Sequence, residues 1–172
     1  ILFFLSNIDH LKLINTQQAF LLTALSWLSI AIFGSLPFFF SELSLSITDS
    51  FFESMSGITT TGATILENIE KSPKGILIWR AMLQWLGGIG VILMAITLMP
   101  IMNIGGMQLL KVTSYDTSEK ILPKSKEVSL RLITVYLSLT ALCAVSYKIC
   151  GMNAFDSITH SMTTIATGGF SN

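Results

Sequence analysis

Two segments rich in threonine and glycine contain the residues of this chain that could do chemistry. The sequence of residues 59–64 is TTTGAT, and that of residues 164–171 is TIATGGFS. Threonine favours extended backbone and offers a hydroxyl oxygen, and glycine allows the positive φ that turns successive carbonyls towards one axis. Carbonyls arranged in this way can replace the hydration shell of a cation. The two segments therefore predict a cation site rather than an anion site.

The two segments belong to an internal repeat that aligns residues 49–64 with residues 156–171. In this alignment, seven of sixteen pairs are identical. The identical pairs are Asp49/Asp156, Ser50/Ser157, Ser54/Ser161, Met55/Met162, Ile58/Ile165, Thr60/Thr167 and Gly62/Gly169. Each segment follows a short amphipathic stretch, residues 49–58 or 154–163, and Asp49 or Ser50 is the expected N-cap of the first stretch. A single TTTG could merely cap a helix, but two copies in the same frame favour a functional loop.

Long uncharged runs predict the helices that must position these loops. The 172 residues are 51% hydrophobic and 12% charged, against about 25% charged residues in an average soluble domain. Residues 13–41 and 81–110 contain no Asp, Glu, Lys or Arg, and both runs exceed the ~20 apolar residues that span a bilayer. A third, shorter uncharged run lies between Arg131 and Lys148. We therefore expect an all-α membrane protein whose spanning helices cover residues 18–40, 74–102 and 128–149.

The loop charges predict an orientation in the membrane. The formal net charge is zero, which excludes a nucleic-acid-binding surface driven by excess positive charge. Residues 103–131 contain five basic residues, whereas residues 41–75 have a net charge of about −3. By the positive-inside rule, residues 103–131 are cytoplasmic and residues 41–75 face outward. Each amphipathic stretch is then a re-entrant half-helix, and the acidic outer segment would raise the local cation concentration.

Two polar residues of the second predicted helix are expected to have structural roles. Arg80 lies about one turn into the helix, and an anchor at the outer interface is favoured over a role in holding the loop. For Gln84, and for Gly87, Gly88 and Gly90, the favoured role is helix packing. The sequence contains no catalytic motif, so we do not expect an enzyme.

These motifs together resemble the Trk-type potassium uptake membrane subunit of the TrkH/KtrB superfamily. The residues that carry the resemblance are 52–64, 79–80, 84–90, 105–109 and 164–171. In that family, four non-identical helix–pore loop–helix repeats surround one pore. The resemblance implies a fragment from the N-terminal half, with one complete repeat and a second that ends after its filter. The implied divisions are the end of a preceding helix and a cytoplasmic connection in 1–17, the first repeat in 18–102, a cytoplasmic linker in 103–127, and the helix, half-helix and filter of the second repeat in 128–172.

The resemblance also implies the site and its cargo. It places three residues in each filter strand, namely Thr60, Thr61 and Gly62 in the first and Thr167, Gly168 and Gly169 in the second. The backbone carbonyls of these residues would bind potassium, which is the transported substrate, and no cofactor is implied.

The implied function is potassium uptake, including symport, by a multi-pass protein of the bacterial inner membrane. The implied partners are the lipid bilayer, a second copy in a homodimer, and a peripheral nucleotide-binding subunit that docks near residues 103–131 on the cytoplasmic side. Nucleic acid is not among them. Two alternatives stay open: a sodium-coupled or sodium-permeable transporter of the same superfamily, and a truncated, non-conducting membrane protein.

Overall fold

All regular secondary structure in the part of the chain that the structure describes is helical. The computed structural model describes residues 16–102 and 121–172. It contains five α-helices and one short 3-10 turn, Ile69–Lys71. The helices are α1 Thr16–Phe39, α2 Ile47–Ile58, α3 Lys74–Met102, α4 Ile121–Ile149 and α5 Ala154–Ile165. The predicted all-α class is confirmed for the described residues, and α4 already includes Ile121, ahead of the expected start at position 128. The predicted end of a preceding helix in 1–17 and most of the predicted linker in 103–127 lie outside the described residues.

Three of the helices are long and apolar enough to cross a membrane. The candidate spans are Phe20–Phe39 in α1, Lys74–Ala95 in α3 and Glu127–Ile149 in α4. Several serine and threonine hydroxyls within these spans donate to carbonyls of their own helix; for example, Ser26 donates to the Leu22 carbonyl at 2.7 Å. This internal bonding satisfies polar groups that lipid cannot. The three spans place α2 and α5 among apolar helices.

Side-chain caps start the two short helices at equivalent positions. The Ser46 hydroxyl accepts from the Asp49 backbone N–H at 3.1 Å, and the Asn153 side chain accepts from the Asp156 N–H at 2.8 Å. Ser46 and Asn153 are equivalent in the frame of the internal repeat, and each helix has 12 residues. The prediction of Asp49 or Ser50 as the first N-cap is wrong. Asp49 instead lies in the first turn, where the positive end of the helix dipole stabilises a carboxylate.

The middle of α3 receives the ends of both short helices at two adjacent glycines. A Cβ on Gly87 would overlap the carbonyl of Ile58, the last residue of α2. A Cβ on Gly88 would lie 3.0 Å from the Cα of Ala166, the C-cap of α5. The predicted packing role of these two glycines is therefore confirmed. Their spacing holds the C-terminal ends of α2 and α5 side by side against one helix.

Aromatic residues hold the spanning helices α1 and α4 against α3. The Trp79 indole N–H of α3 donates to the Gly34 carbonyl of α1 at 2.9 Å. The Trp85 indole donates to Thr140 of α4 at 3.1 Å, and the Tyr136 hydroxyl of α4 returns a bond to the Trp85 carbonyl at 2.9 Å. These bonds fix α3 between α1 and α4, so that α3 can support the loops that follow α2 and α5.

The contact at Gly87 predicts a destabilised variant. Gly87→Ala should lower the free energy of unfolding by about 1–3 kcal/mol, because a backbone carbonyl blocks the added methyl group. Thermal unfolding of the protein expressed from the full coding sequence and purified in detergent measures this effect. Gly75→Ala is the matched control on the same helix, since nothing lies within 4 Å of its added Cβ, and it should leave the Tm unchanged or raise it. Equal Tm values for the two variants would contradict the packing role.

Candidate functional site

The two short helices end in the same left-handed motif. Thr60 has φ 55° and Thr167 has φ 54°. In the first copy, the N–H groups of Thr60 and Thr61 bond to the carbonyls of Gly57 and Ser56 at 2.9 and 3.0 Å. The second copy makes both bonds at the equivalent positions, from residues 167 and 168 to residues 164 and 163, at 3.0 and 2.9 Å. A β-branched residue at positive φ is a conformational outlier, and such outliers concentrate at functional sites.

The loops that follow these motifs touch each other through their glycines. We define the first loop as residues 59–64 and the second loop as residues 166–171. Gly62 has φ 79° and Gly169 has φ 78°, so the repeat extends through the loops. A Cβ on Gly62 would overlap the carbonyl oxygen of Gly168. Both the positive φ and this close approach require glycine at position 62.

The six predicted filter residues lie together at this junction of the loops. Thr61, Thr167 and Gly169 are exposed, Thr60 and Gly62 are half-buried, and Gly168 is buried. The hydroxyls of Thr59 and Thr61 lie 2.8 Å apart. The junction therefore offers carbonyl and hydroxyl oxygens, and among the described residues no group of three His, Cys, Asp or Glu side chains could hold a metal ion.

A buried ion pair lies behind the first loop. Glu53 of α2 is 0% exposed and Arg80 of α3 is 1% exposed, and the Arg80 Nε donates to the Glu53 carboxylate at 2.8 Å. The same carboxylate accepts from the Thr64 hydroxyl at 2.9 Å and from the Ile65 N–H at 3.2 Å. A buried ion pair is stable only when hydrogen bonds satisfy its remaining groups. Glu53 thus fixes the end of the first loop.

Arg80 also reaches the second loop. Its guanidinium donates to the Thr64 hydroxyl at 3.1 Å and to the Ser171 carbonyl at 3.5 Å. It lies 4.2 Å from the centre of the Phe170 ring, within the range of a cation–π interaction. The interpretation of Arg80 as an interfacial anchor is therefore wrong, because the side chain is buried and ties both loops to α3.

Gln84, one turn further along α3, binds the second loop at two points. Its Nε2 donates to the Gly168 carbonyl at 2.7 Å, and its Oε1 accepts from the Phe170 N–H at 3.2 Å. Gln84 is 0% exposed. The favoured role of Gln84 in helix packing is wrong, because its amide binds the backbone of the second loop rather than another helix.

The two loops have different supports although their backbones match. The first loop depends on its own half-helix, where the Ser56 hydroxyl donates to the Ala63 carbonyl at 2.6 Å and Glu53 binds Thr64. Position 160, the counterpart of Glu53, is a histidine. The second loop depends on Arg80 and Gln84 of α3 instead. The bond from Gln84 lies at the junction of the loops, because the Gly168 carbonyl oxygen that accepts it also faces Gly62.

Sequence reasoning missed Glu53 as a site residue. By sequence it belongs to the acidic outer segment, where it would attract cations, but its charge is buried and compensated by Arg80. A signal was present in the sequence, because ionisable residues among membrane-spanning helices are generally paired. Arg80 is the only charged residue between positions 75 and 110, so an acidic partner for it was to be expected.

Comparison with known proteins places this geometry in a family. The TrkH family model, described as a cation transport protein, matches residues 4–172. The chain is 45% identical over 161 residues to the Trk system potassium uptake protein TrkH of Escherichia coli, which covers 92% of the chain and 33% of that protein. It is 44% identical over 155 residues to TrkI of Halomonas elongata, with coverages of 90% and 32%. The chain thus spans about a third of the length of the curated relatives it matches.

A solved structure agrees in fold. The crystal structure of the potassium transporter TrkH from Vibrio parahaemolyticus superposes with a TM-score of 0.78 at 40% sequence identity. The match covers 95% of this chain and 32% of that chain. At this level of identity and coverage, the predicted resemblance is confirmed. The chain belongs to the TrkH family of cation transport proteins.

Proposed function

We propose that this chain forms part of a potassium uptake pore, in which the first and second loops are two strands of the ion-selective filter. The filter residues are Thr60, Thr61 and Gly62 in one strand and Thr167, Gly168 and Gly169 in the other. The observation that carries the proposal is the pair of matched loops that meet at the end of two half-helices, with φ values at positions 60/167 and 62/169 equal within 1°. The unit is a helix–pore loop–helix repeat.

The surroundings of the loops favour a cation. Backbone outside a helix is tolerated at membrane depth only where it is buried in protein or lines a water-filled cavity. The C-terminal ends of α2 and α5 lead into the loops, and helix C-termini carry partial negative charge. The nearest buried cation, Arg80, is neutralised by Glu53 at 2.8 Å. The positive charge of Arg80 is therefore balanced, and the partial negative charge of the two helix ends beside the loops favours a cation.

Potassium is the proposed cargo because the relatives are named for potassium uptake. Backbone carbonyls would replace the water around the ion, so the site needs no cofactor and no catalytic residue. Since the chain spans about a third of those relatives, we propose that further loops of a longer protein complete the filter. Sodium-coupled or sodium-permeable transport, and a truncated non-conducting protein, are the alternatives that the experiments below separate.

The setting of the pore is part of the proposal. The five basic residues between positions 103 and 131 support a cytoplasmic linker by the positive-inside rule, with multiple passes through a bacterial inner membrane. A homodimer, symport and a peripheral nucleotide-binding subunit at this linker follow from the family resemblance.

The first test of the proposed function concerns Gly62. In the full coding sequence, Gly62→Ala and Gly62→Asp should abolish rescue of a potassium-uptake-deficient strain at low potassium, and rubidium uptake should fall at least about tenfold. Backbone strain of about 1–3 kcal/mol and the overlap with the Gly168 carbonyl cause the loss. Gly151→Ala is the matched control, because Gly151 also has positive φ (99°) but nothing lies within 4 Å of an added Cβ. It should retain uptake, and equal rescue by all the variants would refute the pore proposal.

The second prediction concerns ion preference. Cells that express the full coding sequence, or membrane vesicles prepared from them, should take up rubidium in preference to sodium. A carbonyl filter for potassium also accepts the similarly sized rubidium ion. Isotope uptake with each ion, normalised to the amount of protein in the membrane, measures the ratio. Equal fluxes would favour the sodium-permeable alternative. Absence of flux despite normal insertion would favour the non-conducting protein.

The third prediction concerns orientation. In a background without Cys143 and Cys150, Glu42→Cys should react with an impermeant maleimide in intact spheroplasts. Lys111→Cys should react only after permeabilisation, because basic loops remain on the cytoplasmic side. The reverse labelling pattern would overturn the proposed topology.

A further inference from the structure

The side chain of Gln84 controls the two peptide groups that flank Gly169. Its amide donates to the carbonyl of Gly168 and accepts from the N–H of Phe170, at 2.7 and 3.2 Å. The carbonyl of Gly168 belongs to the peptide unit before Gly169, and the N–H of Phe170 belongs to the unit after it. The contact resembles a parallel β-bridge, in which one residue bonds to the carbonyl before and the N–H after its opposite residue.

This two-point contact also fixes the orientation of the amide itself. The backbone N–H of Phe170 can only donate, so the atom of Gln84 that faces it must be the oxygen. The Nε2 group then faces the Gly168 carbonyl, which can only accept. Because Gln84 is 0% exposed, no water competes for either bond.

Because the peptide group is planar, the contact with Gln84 also determines the direction in which the Gly169 carbonyl points. The described part of the chain has no cis peptide bonds, and in a trans peptide the N–H and C=O groups point in opposite directions. The Phe170 N–H points to Gln84 on α3, so the Gly169 carbonyl in the same unit points away from α3. The Gly168 carbonyl points towards α3. Gly169 itself is exposed, whereas Gly168 is buried.

Arg80 extends this support by one turn of α3. It donates to the Ser171 carbonyl at 3.5 Å and lies against the Phe170 ring at 4.2 Å. Residues 80 and 84 lie on the same face of the helix, because they are four apart. The first repeat therefore holds the loop of the second repeat at Gly168, Phe170 and Ser171, over a separation of 84 to 91 residues.

From this geometry we propose that Gln84 is a positioning residue for ion selectivity. It withdraws the Gly168 carbonyl from the ion path and aims the Gly169 carbonyl into it. This inference rests on the proposed function and makes it more specific, because Gly168 then belongs to the filter strand as its anchor and not as an ion ligand. The second loop contributes the Gly169 carbonyl as a ligand of the ion. The Gly168 carbonyl instead accepts the bond from Gln84 that anchors the loop. The ability of carbonyl ligands to discriminate potassium from sodium depends on their number and placement. A second loop without this anchor should therefore discriminate less strongly against sodium.

The test compares two Gln84 variants in the full coding sequence. Gln84→Met keeps the length and helix propensity of the side chain but removes both bonds, and Gln84→Asn keeps an amide that is one methylene too short to make both. We expect the ratio of rubidium to sodium uptake to fall about tenfold in Gln84→Met, and to fall also in Gln84→Asn. Total protein in the membrane should stay close to that of the unsubstituted protein.

The matched control is the next residue on the helix. Trp85→Phe removes one part-buried side-chain bond, to Thr140 of α4, and keeps the bonds from Gln84 and Arg80 to the second loop, so it should keep the ratio of the unsubstituted protein. An unchanged ratio in both Gln84 variants would overturn the inference, even if both fluxes fell equally. Failure of both variants to insert would also overturn it, because the role of Gln84 would then be in folding alone. If the unsubstituted protein transports no rubidium, the proposed function itself fails, which is a separate outcome.

Discussion

The structure depends on one constraint: non-helical backbone among membrane-spanning helices needs a partner for each buried peptide group. Lipid offers none, and each unpaired group costs several kcal/mol. Here the partners are side chains placed behind the loops. Glu53 binds the Ile65 N–H, Gln84 binds Gly168 and Phe170, and Arg80 binds Ser171. The sides of the loops that face away from these residues are thereby left for other ligands.

The two copies of the repeat solve this constraint in different ways. Their half-helices, caps and positive φ values correspond position by position in the repeat frame. The first loop is nevertheless supported mainly from its own half-helix, and the second from α3 of the preceding repeat. The same backbone can therefore be kept while Glu53 is replaced by a histidine at position 160. Helix α3 of the first repeat thus supports the loop of the second repeat, and Arg80 binds both loops.

Charge compensation explains why a buried arginine is compatible with the proposed cation site. An unpaired cation beside the loops would repel a bound cation and would itself be costly to bury. The Glu53 carboxylate removes both problems, and its second oxygen still binds loop backbone. The close pair acts on the loops mainly through hydrogen bonds. The C-termini of the two short helices add partial negative charge beside the loops.

The sequence by itself determined the internal repeat, the three long apolar helices, the two short helices, the loops after them and the family, because these depend on local periodicity, on the matching repeat frame and on glycine at special positions. Even the N-cap was ambiguous locally, since Ser46 and Asp49 are both capping residues and form one mutual motif. Only the tertiary structure decided the roles of Glu53, Arg80 and Gln84. Their partners lie on other elements, up to 91 residues away, and the register of α3 against the loops follows from close packing at Gly87 and Gly88. Local pattern does not encode that register, because it arises from the way three helices meet.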